Sequence, residues 1–119
     1  MSGRLVLGID LGLSGIRSAV MSSDGSLVSL SSRHEIPTVR GPGLAEQDPQ
    51  DWLRGLAASA HEALDGIDPS QVAGIGISAL GPAPVLVDRE LEPLAPALLF
   101  SLDTRAETQR RRLQAELGL

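Results

Sequence analysis

The sequence predicts an α/β fold, a mixed sheet with flanking helices, from three observations. The chain opens with β-rich segments joined by tight turns, which make an antiparallel three-strand meander. An amphipathic segment with clear helix-start signals follows. A short glycine-bearing apolar run then has the character of a buried strand.

Each element has its own signal. Arg4 to Asp10 is apolar and reads as a buried strand, and Leu11 to Gly15 is a glycine-spaced turn. Ile16 to Ser22 is the second strand, with Ile16, Ser18 and Val20 on one face and Arg17, Ala19 and Met21 on the other. Asp24-Gly25 marks a hairpin, and Ser26 to Ile36 reads as a more polar third strand. Pro37 to Ala45, with Pro37, Gly41, Pro42 and Gly43, reads as an exposed loop.

Asp48 is a suitable N-cap, Pro49 fits the first helical position, and Asp51 puts a carboxylate in the first turn. Trp52, Leu53, Leu56, Ala60, Ala63 and Leu64 recur at helical spacing, and Gly66 is a natural stop. Gln71 to Ala79 is predicted to be a fully buried strand. Val85 to Val87 and Leu94 to Phe100 read as further strands around a polar turn, and Asp103 to Leu117 as a second helix ended by Gly118. The predicted order is β-β-β-α-β-(β)-β-α, with no internal repeat.

Composition excludes several classes. The 119 residues suit one domain, and 42% hydrophobic content is that of a globular chain. One Trp, one Phe and no Tyr leave little for nucleic-acid bases to stack on, and a net charge of −5 repels phosphate backbones. No nucleic-acid partner is therefore expected. The absence of Cys removes disulfides and thiolate metal sites. No apolar run approaches the ~18 residues of a membrane span. The N-terminus lacks the pattern of a signal peptide, so a soluble cytoplasmic protein without a membrane partner is expected.

The most informative stretch is Leu7 to Arg17, LGIDLGLSGIR. A strand ends in Asp10 and turns through Gly12, Leu13, Ser14 and Gly15 into another strand. Glycines admit close backbone approach, and consecutive N–H groups in such a turn can form an anion-binding nest. Ser14 can add a hydroxyl donor, Arg17 a charge, and Asp10 a carboxylate suited to hydrated Mg²⁺. A plain glycine-rich hairpin explains the same residues. There is no Gly-Lys-Ser/Thr, so this is not a Walker loop. A strand rather than a helix follows, so it is not the dinucleotide fingerprint either.

IDLGLSGIR resembles the first phosphate motif of the FGGY carbohydrate kinases, Asp-x-Gly-Thr-Ser/Thr followed by a basic residue. AEQDPQDWL at Ala45 to Leu53 is similar to that family's Glu-Gln-Asp-Pro-x-x-Trp. GIGIS at Gly74 to Ser78 is similar to its central strand, and PALLFSLDTRA at Pro96 to Ala106 to its Pro-Ala-Ile-Leu-(aromatic)-x-x-Asp-x-Arg-Ala. Four motifs in order cover nearly the whole chain.

The resemblance implies an actin-like ATPase (ribonuclease H-like) domain that binds ATP with Mg²⁺ and a small sugar or polyol. Asp10, Gly12, Leu13, Ser14, Gly15 and Arg17 would hold the nucleotide phosphates, with Asp10 also serving the metal. Leu80, Gly81, Pro82, Asp103 and Arg105 would face the acceptor. Family members are several-fold longer and have a second domain that carries the catalytic base and the adenosine pocket. The resemblance therefore makes residues 1–119 an N-terminal part with no catalytic residue of its own, expected to be inactive alone. A homodimer is compatible with the full-length protein.

Two departures stand out. Leu13 replaces the family's Thr, removing one hydroxyl donor to phosphate. Leu80-Gly81-Pro82-Ala83 replaces the polar Gln-Met-His-Gly loop of xylulokinases, and the Arg-Glu pair of glycerol kinases is also absent. The acceptor is then not expected to be xylulose by default.

Other charged residues have structural readings. Asp103 and Arg105 fit either the acceptor site or an N-cap with a surface charge. Trp52 fits core packing, and His34 and His61 lack metal-ligand spacing. Glu46 and Asp48 fit capping and solvent roles, and Arg110, Arg111 and Arg112 point around their helix. A sugar kinase is the leading reading. A non-kinase actin-like ATPase and a non-catalytic sugar-binding regulator are the alternatives.

Overall fold

The computed structural model describes residues 4–118. The chain forms two compact units, one of Met1–Pro37 with Pro49–Leu80 and one of Thr38–Asp48 with Gly81–Leu119.

The first unit is a sheet covered by one helix. Strands β1 (Leu5–Gly12), β2 (Gly15–Ser22) and β3 (Leu27–Leu30) form the antiparallel meander, and a short β4 (His34–Glu35) also pairs with β2. The first unit's last strand, β7 (Val72–Ala79), lies parallel to β1, which gives the order β3-β2-β1-β7. Helix α1 (Pro49–Ala63) packs on β1 and β2, and a short 3-10 turn, Pro69–Gln71, leads into β7.

Alternation in the first two strands builds the core. Leu5, Leu7, Ile9 and Leu11 of β1 and Ile16 and Val20 of β2 are buried, and Trp52, Leu56 and Ala60 of α1 pack against them. Ser18, the third buried residue on that face of β2, needs polar partners. Its N–H donates to Ser31 Oγ at 2.9 Å, and its hydroxyl receives Ser59 Oγ from α1 at 2.9 Å. Ser31 Oγ and Ser59 Oγ close the triangle at 2.8 Å. A buried hydroxyl without such partners would cost about 1–3 kcal/mol.

The second unit is a small sheet and a helix. Strands β5 (Val39–Gly41) and β6 (Leu44–Gln47) form a hairpin, and β8 (Ala97–Leu98) pairs with β6. Helix α2 (Glu107–Leu117) ends at Gly118, whose φ of +68° is the left-handed conformation that glycine adopts freely.

Several expectations are corrected. The single third strand is broken into β3 and β4. At Ser31 and Ser32 side chains engage backbone groups, Ser31 Oγ accepting from Ser18 N and Glu62 accepting from Ser32 N. The expected loop at Pro37 to Ala45 contains a hairpin, for which Gly41-Pro42-Gly43 supplies the turn and Gly43 a φ of +70°. Val85 to Val87 and Leu94 to Phe100 reduce to one bridge, Val87 to Pro93, and the two-residue β8.

Two burial expectations also change. Strand β7 is not buried: Ile75 and Ile77 are 65% and 62% exposed, because α1 covers β1 and β2 and no described element covers β7. Leu53 is likewise exposed, since the buried stripe of α1 runs through its neighbour Trp52. Helix α2 starts at Glu107 rather than Asp103, whose carboxylate is engaged elsewhere.

Candidate functional site

The hairpin between β1 and β2 sets the first candidate site. Gly12 and Gly15 are register partners that close it, and Leu13 and Ser14 form the exposed tip. Neither tip residue takes the positive φ of a primed two-residue turn. The two glycines are needed for different contacts. A Cβ on Gly12 would stand 3.2 Å from the Gly15 carbonyl oxygen, a tight contact with the opposite arm, and 3.7 Å, an ordinary contact distance, from Asp10 Oδ2. A Cβ on Gly15 would lie 2.7 Å from the His34 carbonyl oxygen and 2.8 Å from Arg33 Cγ. The close approach at Gly15 is thus with the protein's own β4.

Asp10 sits on the sheet face opposite α1, with Arg17 beside it on β2 and Ser78 beside it on β7. The three line a groove of about 560 Å³ together with Gly8 and Gly76. No hydrogen bond or ion pair engages the Asp10 carboxylate or the Arg17 guanidinium among the described residues. A carboxylate and a guanidinium, side by side and uncommitted above a glycine floor, can meet a cation and an anion in one ligand. Ser78 is the member that sequence reading missed. Only the parallel register of β7 on β1 brings it to Asp10.

The second candidate site lies within the second unit. Pro82, Pro84, Leu98, Phe100, Asp103 and Thr104 are among the residues that line a pocket of about 820 Å³. Its acids are already engaged. Asp103 Oδ2 accepts from Ala45 N and from Arg105 Nε, each at 3.0 Å, and Arg105 Nη2 reaches Glu46 Oε1 at 2.6 Å. The Arg105 guanidinium and the Ala45 N–H hold the Asp103 carboxyl down to about 2. Glu107 is held to about 2 by Arg110 and Arg111, and Arg112 pairs with Glu116, so the three arginines form ion pairs along α2.

The predicted acceptor residues are therefore not all brought together. Pro82, which follows a cis Gly81–Pro82 bond, and Asp103 line the pocket. Leu80 packs against the core of the first unit, and its N–H donates to the Leu11 carbonyl at 2.9 Å. Gly81 is exposed outside the pocket lining, and Arg105 binds the two acids Asp103 and Glu46. Glu46, read as a capping or solvent group, is a partner of Arg105. The two lie 59 residues apart, so no local pattern in the sequence signals the pair.

Of the histidines, His34 Nε2 lies 2.7 Å from Glu62 Oε2, and His61 is exposed. Among the described residues no group of three His, Cys, Asp or Glu could hold a metal, and no helix is long and apolar enough to cross a membrane.

A meander whose first hairpin carries Asp10, a parallel fourth strand beside it and a helix on the opposite face define an actin-like ATPase domain. Residues 5–119 match the FGGY family of carbohydrate kinases, N-terminal domain, and the chain belongs to that family. It is 38% identical over 104 residues to a probable L-xylulose kinase of Haemophilus influenzae, covering 84% of this chain and 21% of that protein. It is 29% identical to a xylulose kinase of Staphylococcus xylosus, covering 96% of this chain and 23% of the relative. A crystal structure of xylulose kinase from Rhodospirillum rubrum superposes with a TM-score of 0.85 at 26% identity, covering 95% of this chain and 23% of that one. The chain thus spans less than a quarter of the length of these relatives.

Proposed function

We propose that this domain works in an ATP-dependent kinase that phosphorylates a hydroxyl of a small ketose or polyol. The observation that carries the reading is the uncommitted Asp10–Arg17 pair beside the glycine hairpin, in a chain of this family. Gly12, Leu13, Ser14 and Gly15 would present the hairpin backbone to the nucleotide phosphates, with Ser14 adding a hydroxyl and Arg17 a charge. Asp10 would hold Mg²⁺ through its hydration shell, as a hard oxygen ligand facing an open groove. MgATP supplies the phosphoryl group. This chain's residues position its phosphates and offset their charge, which is most of what such transfers require. No residue here is assigned as the base that takes the acceptor's proton. That base, the adenosine pocket and a second domain belong, in this reading, to a longer protein of which residues 1–119 are the N-terminal part.

The acceptor would enter the pocket lined by Pro82 and Asp103. Its walls are largely apolar, and Asp103 and Glu107 are committed to arginines. The hydroxyls of Ser101 and Thr104 remain to read a substrate. A site with few free polar groups does not favour a fully hydroxylated pentulose, so the preferred acceptor would be neither xylulose nor glycerol. The cytoplasm, where ATP and free sugars meet, is the proposed location.

The test is ADP release by the full-length protein with MgATP and a panel of ketoses and polyols. Release stimulated by a sugar supports the kinase. Release independent of every sugar points to a non-kinase actin-like ATPase, and sugar binding without release points to a regulator.

A further inference from the structure

We propose that Glu62 of α1 is a positioning residue for the phosphate hairpin, acting through the Ser32–Glu35 segment. The inference rests on the reading of that hairpin as the nucleotide grip. Three contacts converge on the Glu62 carboxylate. Ser32 N donates to Oε1 at 2.8 Å, Ser32 Oγ donates to Oε2 at 2.9 Å, and His34 Nε2 lies 2.7 Å from Oε2. Hydrogen bonding to Ser32 and His34 holds the Glu62 carboxyl below its ordinary range, so it stays ionised and accepting near neutral pH.

The segment so held is the one that touches the hairpin. Glu35 and His34 pair with Gly15 and Ile16, the first two residues after the hairpin tip. The His34 carbonyl oxygen occupies the space that a Gly15 Cβ would need, at 2.7 Å. Strand β4 therefore forms a wall behind the outgoing arm of the hairpin. Pairing over two residues is too short to stand alone, since isolated two-stranded pairings are marginal in water. The Glu62 contacts tie that wall to α1, which the core fixes to β1 and β2. Without them β4 can detach, and the Gly12–Gly15 arm loses its backing while the Asp10 strand remains in the sheet centre. The expected consequence is a looser grip on phosphate with the acceptor site untouched.

The experiment is steady-state kinetics of the full-length protein with Glu62→Ala, Glu62→Gln and Ser32→Ala, using MgATP and the best acceptor of the panel. Glu62→Ala should raise the nucleotide KM by about 10-fold or more while the acceptor KM stays within two-fold. Glu62→Gln keeps an oxygen for the Ser32 N–H and should recover most of the loss. Ser32→Ala, on an exposed residue, should give a smaller shift of the same kind and serves if Glu62→Ala does not fold. An unchanged nucleotide KM, an equal rise in both KM values, or a Gln variant as impaired as Ala would each overturn the proposal. Asp10→Ala, run in parallel, separates the two readings. If it leaves activity intact, the hairpin is not the nucleotide grip. If it abolishes activity while Glu62→Ala leaves the nucleotide KM unchanged, the positioning role alone fails.

Discussion

Gly55 of α1 rests against Ile16 of β2: a Cβ at Gly55 would stand 3.0 Å from Ile16 Cδ1, and Ile16 is fully buried. A helix-interior glycine ordinarily costs about 0.5–1 kcal/mol relative to alanine, so Gly55→Ala would be stabilising on propensity alone. Here the added methyl meets the tip of a fully buried side chain, and overpacking of this kind costs about 1–3 kcal/mol.

Gly55→Ala is therefore expected to destabilise the protein by about 1 kcal/mol in denaturant unfolding, once the propensity gain is offset. Ile16→Val removes the obstructing Cδ1. The double variant should be more stable than the sum of the single effects predicts, and strict additivity would show that the contact does not limit the site.

Much of the first unit is legible in sequence because its signals are local. The β2 faces follow from alternation, and the helix start from Pro49 with Asp51 in the first turn. What escapes depends on partners far along the chain. The buried Ser18, Ser31 and Ser59 triangle looks like three ordinary polar residues until the meander and α1 bring them together. Ser78 comes beside Asp10 through strand register, and Glu62 reaches Ser32 and His34 from the face of α1. The hairpin at Val39 to Gln47 is hidden by its own proline and glycines, which read as loop even though they build a turn. Exposure of Ile75 and Ile77 cannot be read from an apolar run, since it depends on what packs beside β7.

Gly15→Ala tests the close approach of β4. The new methyl would meet backbone, the His34 carbonyl at 2.7 Å, and backbone cannot yield as a side-chain tip does. A loss of about 2 kcal/mol or more is expected in chemical unfolding, by the overpacking argument. Gly74→Ala on β7 is the control, with no atom within 4 Å of the added methyl, and should be nearly neutral. Equal effects at both positions would contradict the packing described for Gly15.

Acid should loosen the second unit through Asp103. Its folded carboxyl is held at about 2, below the ordinary value of 3.8, by Arg105 and the Ala45 N–H. A depressed pKa means that the contribution is fully present above about pH 4 and is lost as pH falls toward about 2. Asp103→Asn should remove that part of the pH dependence between about pH 4 and 2, read as unfolding midpoint against pH. A variant with the parent's acid profile would show that the Asp103–Arg105–Glu46 cluster contributes nothing to the unit.

The proposal places the acceptor in the apolar pocket beside Pro82 and makes that pocket set its preference. In a kcat/KM panel of tetruloses, pentuloses, hexuloses and polyols, the best acceptor of the full-length protein should exceed xylulose and glycerol by about 10-fold or more. Xylulose as the clear best acceptor would show that the pocket beside Pro82 does not set the preference.

Asp10→Ala in the full-length protein tests the proposed phosphate role of the hairpin most directly, by kcat and unfolding midpoint together. Asp10 is exposed on the open sheet face without a partner among the described residues, so removing it should leave the unfolding midpoint close to the parent's. Turnover should fall by about 100-fold or more, the usual scale when a group aimed at transition-state charge is removed. Activity within a few-fold of the parent, at unchanged stability, would contradict a role for Asp10 in holding the metal and nucleotide.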